Sequence, residues 1–188
     1  MDKLKTNEIE DIFKCNKEEK VVDNKCLDQY CAESKKIDTI EFNNGKIKNS
    51  CFKNCKLGYL YFDKCSVLDT TFEESNLEAV EFSDDDLVKC KFDGCVLGKR
   101  EQSQWSSFFK DCSLRKIKGN GGTSFYESKF LKCDFSEADL KNTEFTESTF
   151  DECVIENAKF IDCGFTLASF IRCNPQNWTY VNKVDTFF

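Results

Sequence analysis

Cys133, Cys153 and Cys173 stand twenty residues apart in a chain with 13 Cys and no His. Thiols in such number suit three chemistries: metal ligation, nucleophilic attack and disulfide pairing. The lack of His removes the commonest metal ligand and the commonest neutral-pH proton carrier. A disulfide scaffold fits a small secreted chain with paired cysteines, whereas 188 residues at 40% hydrophobic content can build a core and thirteen is an odd count. Carboxylates cluster at Glu73 and Glu74 and at Asp84, Asp85 and Asp86, yet glycoside chemistry needs two such groups facing across a pocket. The Gly-rich run at 119–122 lacks the Lys and Ser/Thr of a phosphate-binding loop. Which of these chemistries is open depends on the elements that hold the residues.

Those elements repeat. From Ile37 to Leu97, and again from Phe125 to Phe170, every fifth residue is large and apolar. A helix would space such residues by about 3.6 and a half-buried strand by two. Two places before each of these centres lies a second restricted slot, occupied in the later run by Thr123, Ser128, Cys133 and Ala138 and then by Thr143, Ser148, Cys153 and Ala158. Residues two apart point to one side of an extended backbone, so a large and a small residue face inward together while the rest face solvent or turn a corner. The small slot cycles every twenty residues, and the bulky exceptions Ile40, Leu60 and Val80 are also twenty apart. Four sides of five residues therefore make one coil.

Units such as "ADLKN" at 138–142 and "AKFID" at 158–162 resemble the pentapeptide repeat family, and the resemblance covers roughly residues 36–173. It implies an all-β, right-handed four-sided parallel β-helix that acts without catalysis through protein partners. The quinolone-resistance and mycobacterial fluoroquinolone-protection branches of that family add a sharper expectation, a DNA-mimicking binder of a type II topoisomerase such as DNA gyrase. The main expectation is a protein-interaction module on a rigid rod with an unidentified partner, and the topoisomerase binder, conferring fluoroquinolone protection, is its alternative.

Stacked coils repeat at about 4.8 Å, so six or seven coils make a rod on the order of 30 Å long. Its open ends require covers. Residues 1–35 lack the register; Leu4, Ile9, Ile12 and Phe13 there have helical spacing, with Asn7 and Glu10 as a capping box, and a short helical cap is expected. At the other end 174–188 leaves the register, and Trp178, Tyr180, Phe187 and Phe188 either cover the last coil or join two copies as a homodimer.

The repeat breaks between Leu97 and Phe125, a gap of 28 where one coil takes twenty. Units centred on Phe109 and Leu114 survive inside it, so about eight residues are expected to leave the coil as loops at 98–104 and 115–122. Lys99, Arg100, Arg115, Lys116 and Lys118 make this stretch basic, either as solvated surface or as partner-binding loops. Elsewhere the chain is acidic, with a formal net charge of −7, which argues against direct nucleic-acid binding.

The coil also settles the thiols. Nine of them, Cys55, Cys65, Cys90, Cys95, Cys112, Cys133, Cys153, Cys163 and Cys173, occupy the small inward slot and act as packing residues. Cys133, Cys153 and Cys173 are expected in a line up one face, and a line cannot surround a tetrahedral ion. Cys15, Cys26, Cys31 and Cys51 lie outside that pattern and are expected at the surface. No metal, cofactor or catalytic residue is expected. Neither a signal peptide nor a membrane span is recognisable, so the expected location is cytoplasmic.

Overall fold

The computed structural model describes residues 1–14, 19–37, 39–77, 79–98, 103–174 and 176–181. Its backbone is the parallel β-solenoid that the period of five requires. Strand Leu60–Asp63 pairs in parallel with Ile40–Asn43 on one side and with Val80–Ser83 on the other, each residue opposite one twenty places away. Phe42, Phe62 and Phe82 thus stack in one column. The second, third and fourth sides run likewise through Val67, Phe72 and Leu77. The fourth side is an eight-stranded sheet, which makes eight coils and a rod on the order of 35 Å long.

Each side has the same internal logic. The centre is buried and its ring lies on the ring below: Phe62 to Phe82 at 4.8 Å, Phe72 to Phe92 at 5.2 Å, Phe130 to Phe150 at 4.9 Å. Two residues after the centre the chain turns its corner in the left-handed region, as at Asn44, Asn49 and Asn54 with φ of 50°, 51° and 50°. Asn tolerates that conformation, while Lys132 (φ 55°) and Glu137 (φ 61°) meet a cost of about 1–2 kcal/mol. The corner amides offset it by donating to the next coil, Lys132 N to Asp151 O at 2.8 Å and Glu137 N to Glu156 O at 2.9 Å.

The small slot is small because two coils close over it, and it favours a donor because a buried carbonyl lies beneath. Ser75 Oγ donates to Phe52 O at 2.9 Å, Cys65 Sγ to Phe42 O at 3.2 Å, and Cys133 and Cys153 Sγ to Phe109 and Phe130 O at 3.4 Å. A thiol here is a compact apolar filler with a weak donor.

Five expectations are corrected. The solenoid begins well before residue 36: Lys20–Asp23 pairs with Ile40–Asn43, and Val22, Leu27 and Ala32 are buried centres. Their slots hold Lys20, Lys25 and Tyr30, which the end admits because the short strand Asp2–Lys3 and the helix, rather than a full coil, lie over them. At the other end Thr179–Val181 pairs with Lys159–Ile161, so Tyr180 stands in the ladder on Phe160 and the register outlasts residue 173.

The interruption is smaller than eight residues. Phe82 pairs with Trp105, Leu97 with Gly119, and Gly119 with Leu140. Trp105, Phe109, Leu114 and Gly119 are therefore the four centres of a complete coil, and the gap of 28 holds five sides rather than four. Residues 115–122 belong largely to this coil instead of looping out; of 98–104, residues 99–102 lie outside the described ones. Gly119 serves as a centre because Ile117 fills its slot, exchanging large for small within one side.

The helix forms at Thr6–Ile12, but its first turn is held by Lys5 and Glu8 rather than by Asn7 and Glu10: the Glu8 carboxylate accepts from Lys5 N at 2.8 Å. The helix closes the first coil. Ala32 leaves the third column without a ring there, and Phe13, stacked on Tyr30 at 4.2 Å, reaches Phe52 at 6.0 Å to replace it. Cys26, expected at the surface, is buried because Asp2–Lys3 pairs over it and Leu4 N donates to Cys26 O at 2.9 Å.

Candidate protein interaction surfaces

A packed interior confines any binding to the outer positions, and those stack into columns as regular as the core's. Three columns or ends stand out by charge or apolarity.

The first is the corner between the third and fourth sides, where Arg115, Lys116 and Lys118 lie. Arg115 and Lys116 turn the corner after Leu114, with Lys116 at φ 56°, and Lys118 begins the strand Lys118–Asn120. Their charges meet the next coil: Arg115 lies 3.8 Å from Asp134 and 3.7 Å from Glu137, and Lys116 lies 3.7 Å from Glu137. All are exposed pairs, worth under about 1 kcal/mol each. Gly94, without a side chain in the same column, leaves a groove of about 590 Å³ lined also by Lys118, Asp139 and Lys159. Lys99 and Arg100 lie outside the described residues.

The diagonally opposite corner, between the first and second sides, is acidic. Asp84, Asp86, Glu127 and Glu147 lie along it with Lys129 in the same groove, although among the described residues no Lys or Arg comes within ion-pair distance of the four carboxylates. Beneath them Asp85 fills a slot that other coils give to Cys65, Ser128 or Ser148. It is 1% exposed, and its carboxylate accepts from Cys65 N at 2.5 Å and from Ser83 N at 3.1 Å. Burial is the main cause that pushes its pKa up to about 8, with Asp63 and Asp84 adding to the shift. A carboxylic acid in a serine's place is the feature of this corner that composition alone did not single out; its slot position was the available signal.

The third surface is the C-terminal end. Trp178 packs edge-on against Phe160 at 6.0 Å and Tyr180 against Phe165 at 5.6 Å, with the Tyr180 hydroxyl 3.3 Å from Cys163 O. Leu167, Phe170, Ile171 and Val181 remain exposed around them. Phe187 and Phe188 lie outside the described residues.

Of the nine slot cysteines, eight are buried and Cys173, on the last coil, is half-buried. Burial raises the thiols of Cys65 and Cys95 to about 12, the opposite of what a nucleophile needs. Among the described residues no group of three or more His, Cys, Asp or Glu could hold a metal ion, and no helix is long and apolar enough to cross a membrane.

The family model for pentapeptide repeats matches residues 122–157 in eight copies. A search of curated proteins found no match. Among solved structures, a trypsin-treated QnrB1, "a plasmid-mediated fluoroquinolone resistance protein", is 13% identical, covering 95% of this chain and 88% of that one, with a TM-score of 0.38. HetL, a pentapeptide repeat protein "involved in Heterocyst Differentiation Regulation" from the cyanobacterium Nostoc sp. strain PCC 7120, is 12% identical, covering 87% and 89%, with a TM-score of 0.34. The repeat match covers part of the chain, and buried centres with parallel pairing in steps of about twenty residues carry the same four-sided coil along the rest of the rod.

Proposed function

We propose that the protein is a non-catalytic binding rod whose acidic corner docks against a cationic surface of another protein, and that this partner is a type II topoisomerase. The observation that carries the reading is the line of Asp84, Asp86, Glu127 and Glu147, which make no ion pair among the described residues, on an edge of a chain with net charge −7. A groove shaped for duplex DNA offers the complementary cations. Such attraction acts between exposed charges, so it speeds encounter and weakens as salt shortens the screening length. The basic corner at Arg115, Lys116 and Lys118 supplies a secondary contact, while Trp178 and Tyr180 close the rod's end, a role supported by their packing on Phe160 and Phe165.

Titration of the protein into a gyrase supercoiling reaction tests this. Inhibition is expected, falling steeply with added salt and with the combined change Asp84→Asn, Asp86→Asn, Glu127→Gln and Glu147→Gln. Replacing Arg115, Lys116 and Lys118 by Ala should have the smaller effect. No inhibition at high protein concentration would remove the topoisomerase and leave a binding rod with a different partner.

A further inference from the structure

One pair of thiols is not explained by packing. Cys31 and Cys51 precede the centres Ala32 and Phe52 on the third side, at positions that point outward. Strands Cys31–Glu33 and Cys51–Lys53 pair in parallel with Cys31 directly opposite Cys51. Cys31 is exposed and Cys51 is half-buried. Every other described thiol is buried except Cys173, whose Sγ donates to Phe150 O at 3.4 Å. Cα atoms of paired neighbouring strands lie about 4.8 Å apart, inside the window of about 4.4–6.8 Å that a disulfide requires. The buried column Cys90, Cys112, Cys133 and Cys153 repeats the spacing, but packing shields it from any dissolved oxidant.

We propose that Cys31 and Cys51 are a reversible oxidation site whose disulfide ties the first coil to the second. With glutathione disulfide as oxidant, the Cys31 thiolate attacks one sulfur, forming a mixed disulfide and releasing one glutathione thiolate. The Cys51 thiolate then attacks the Cys31 sulfur and expels the second glutathione. Two protein thiols are oxidised, one glutathione disulfide is reduced to two thiols, and the two protons go to water or to the departing thiolates. Cys31 leads because it is the more exposed, whereas burial, and next the neighbouring Cys31 thiol, push the Cys51 thiol up. The link spans the rod's end where strands are open on one side, and it fixes Tyr30, which packs between Phe13 and Phe52.

The folded full-length chain, incubated with glutathione disulfide, acid-quenched and mapped by mass spectrometry, provides the test. The expected product joins the Cys31 and Cys51 peptides with loss of two hydrogens, is reversed by dithiothreitol, and slows amide exchange at 31–33 and 51–53. Cys51→Ser should stop at a glutathione adduct on Cys31, and Cys31→Ser should react many-fold more slowly. Stable adducts on both thiols of the unaltered chain, a link elsewhere that leaves this pair reduced, or no reaction would each overturn the proposal.

Discussion

The first side is built differently in the early coils and the late ones. From Phe42 to Phe82 its slot holds Ile40, Leu60 or Val80, and the side is an extended strand such as Ile40–Asn43. From Phe125 onward the slot holds Thr123, Thr143 or Cys163, and the side ends in a hydrogen-bonded turn, with Ser128 N donating to Phe125 O at 3.0 Å and Ser148 N to Phe145 O at 3.1 Å. Branched aliphatic side chains favour the extended backbone. The volume they give the early coils reappears in the late ones on the second side, where Phe109, Phe130 and Phe150 succeed Ile47, Val67 and Leu87. A solenoid thus conserves the filling of its cross-section rather than the residue at each position, as expected for an interior packed to crystal density. The family model's match at 122–157 falls wholly among the late coils.

Breaking the late arrangement should have the largest effect. Phe145 is fully buried between Phe125 and Phe165, 5.0 Å from each. Phe145→Asp places an unpaired charge in the stack at a cost of several kcal/mol, and loss of the β circular-dichroism signal is expected. Phe170→Asp, on the partly exposed last coil, should only lower the melting temperature. Equal losses from both changes would mean that the end coil is as tightly enclosed as the middle.

The junction between the two arrangements gives a sharper test. A methyl group on Gly119 would lie 2.9 Å from Leu140 Cδ2 and 3.1 Å from Thr143 Oγ1. Gly119→Ala should therefore destabilise by about 1–3 kcal/mol, measured by urea unfolding. Adding Ile117→Ala should recover part of that loss if slot and centre share one volume. Strict additivity of the two changes would contradict the exchange.

An effect that depends on pH comes from Asp85, the acid that one early coil sets in a slot held by serine in the late ones. The unfolded carboxyl ionises near 3.8 and the folded one near 8. Between those values the native state holds one proton more, so stability falls as pH rises through this window, by at most about 1.4 kcal/mol per unit, and levels off above it. Asp85→Ser should flatten that slope and raise the urea midpoint at alkaline pH. A variant that keeps the full slope would place its origin at another group.

The period of five, the four sides and the inward thiols were legible because each middle coil is closed above and below, which forces its slot to be small. Where that constraint relaxes, the pattern fades from the sequence while the fold persists. Lys20, Lys25 and Tyr30 in the first coil and Trp178 in the last sit in slots open at one end, so both ends read as unregistered. Trp105 and Gly119 escaped notice for another reason: Trp105 lies eight residues after Leu97 and four before Phe109, and a glycine carries no apolar signal. The basic residues at 115–118 were legible as charges, but their pairing with Asp134 and Glu137 depends on coil register. The acidic corner needed the register too, since Asp86 and Glu127 are 41 residues apart in sequence and share a groove only once the coils stack.

The continuity of the rod through residues 98–125 rests on Trp105, which is 0% exposed and donates its indole N–H to Val80 O at 2.9 Å. With Trp178→Phe as background, Trp105 becomes the sole tryptophan and its fluorescence reports that coil alone. The expected emission is blue-shifted, unquenched by iodide in the folded protein and fully quenched in urea. Water-like emission with ready quenching in the folded state would place Trp105 outside the stack, restore the large excursion that sequence spacing suggested, and contradict an eight-coil solenoid.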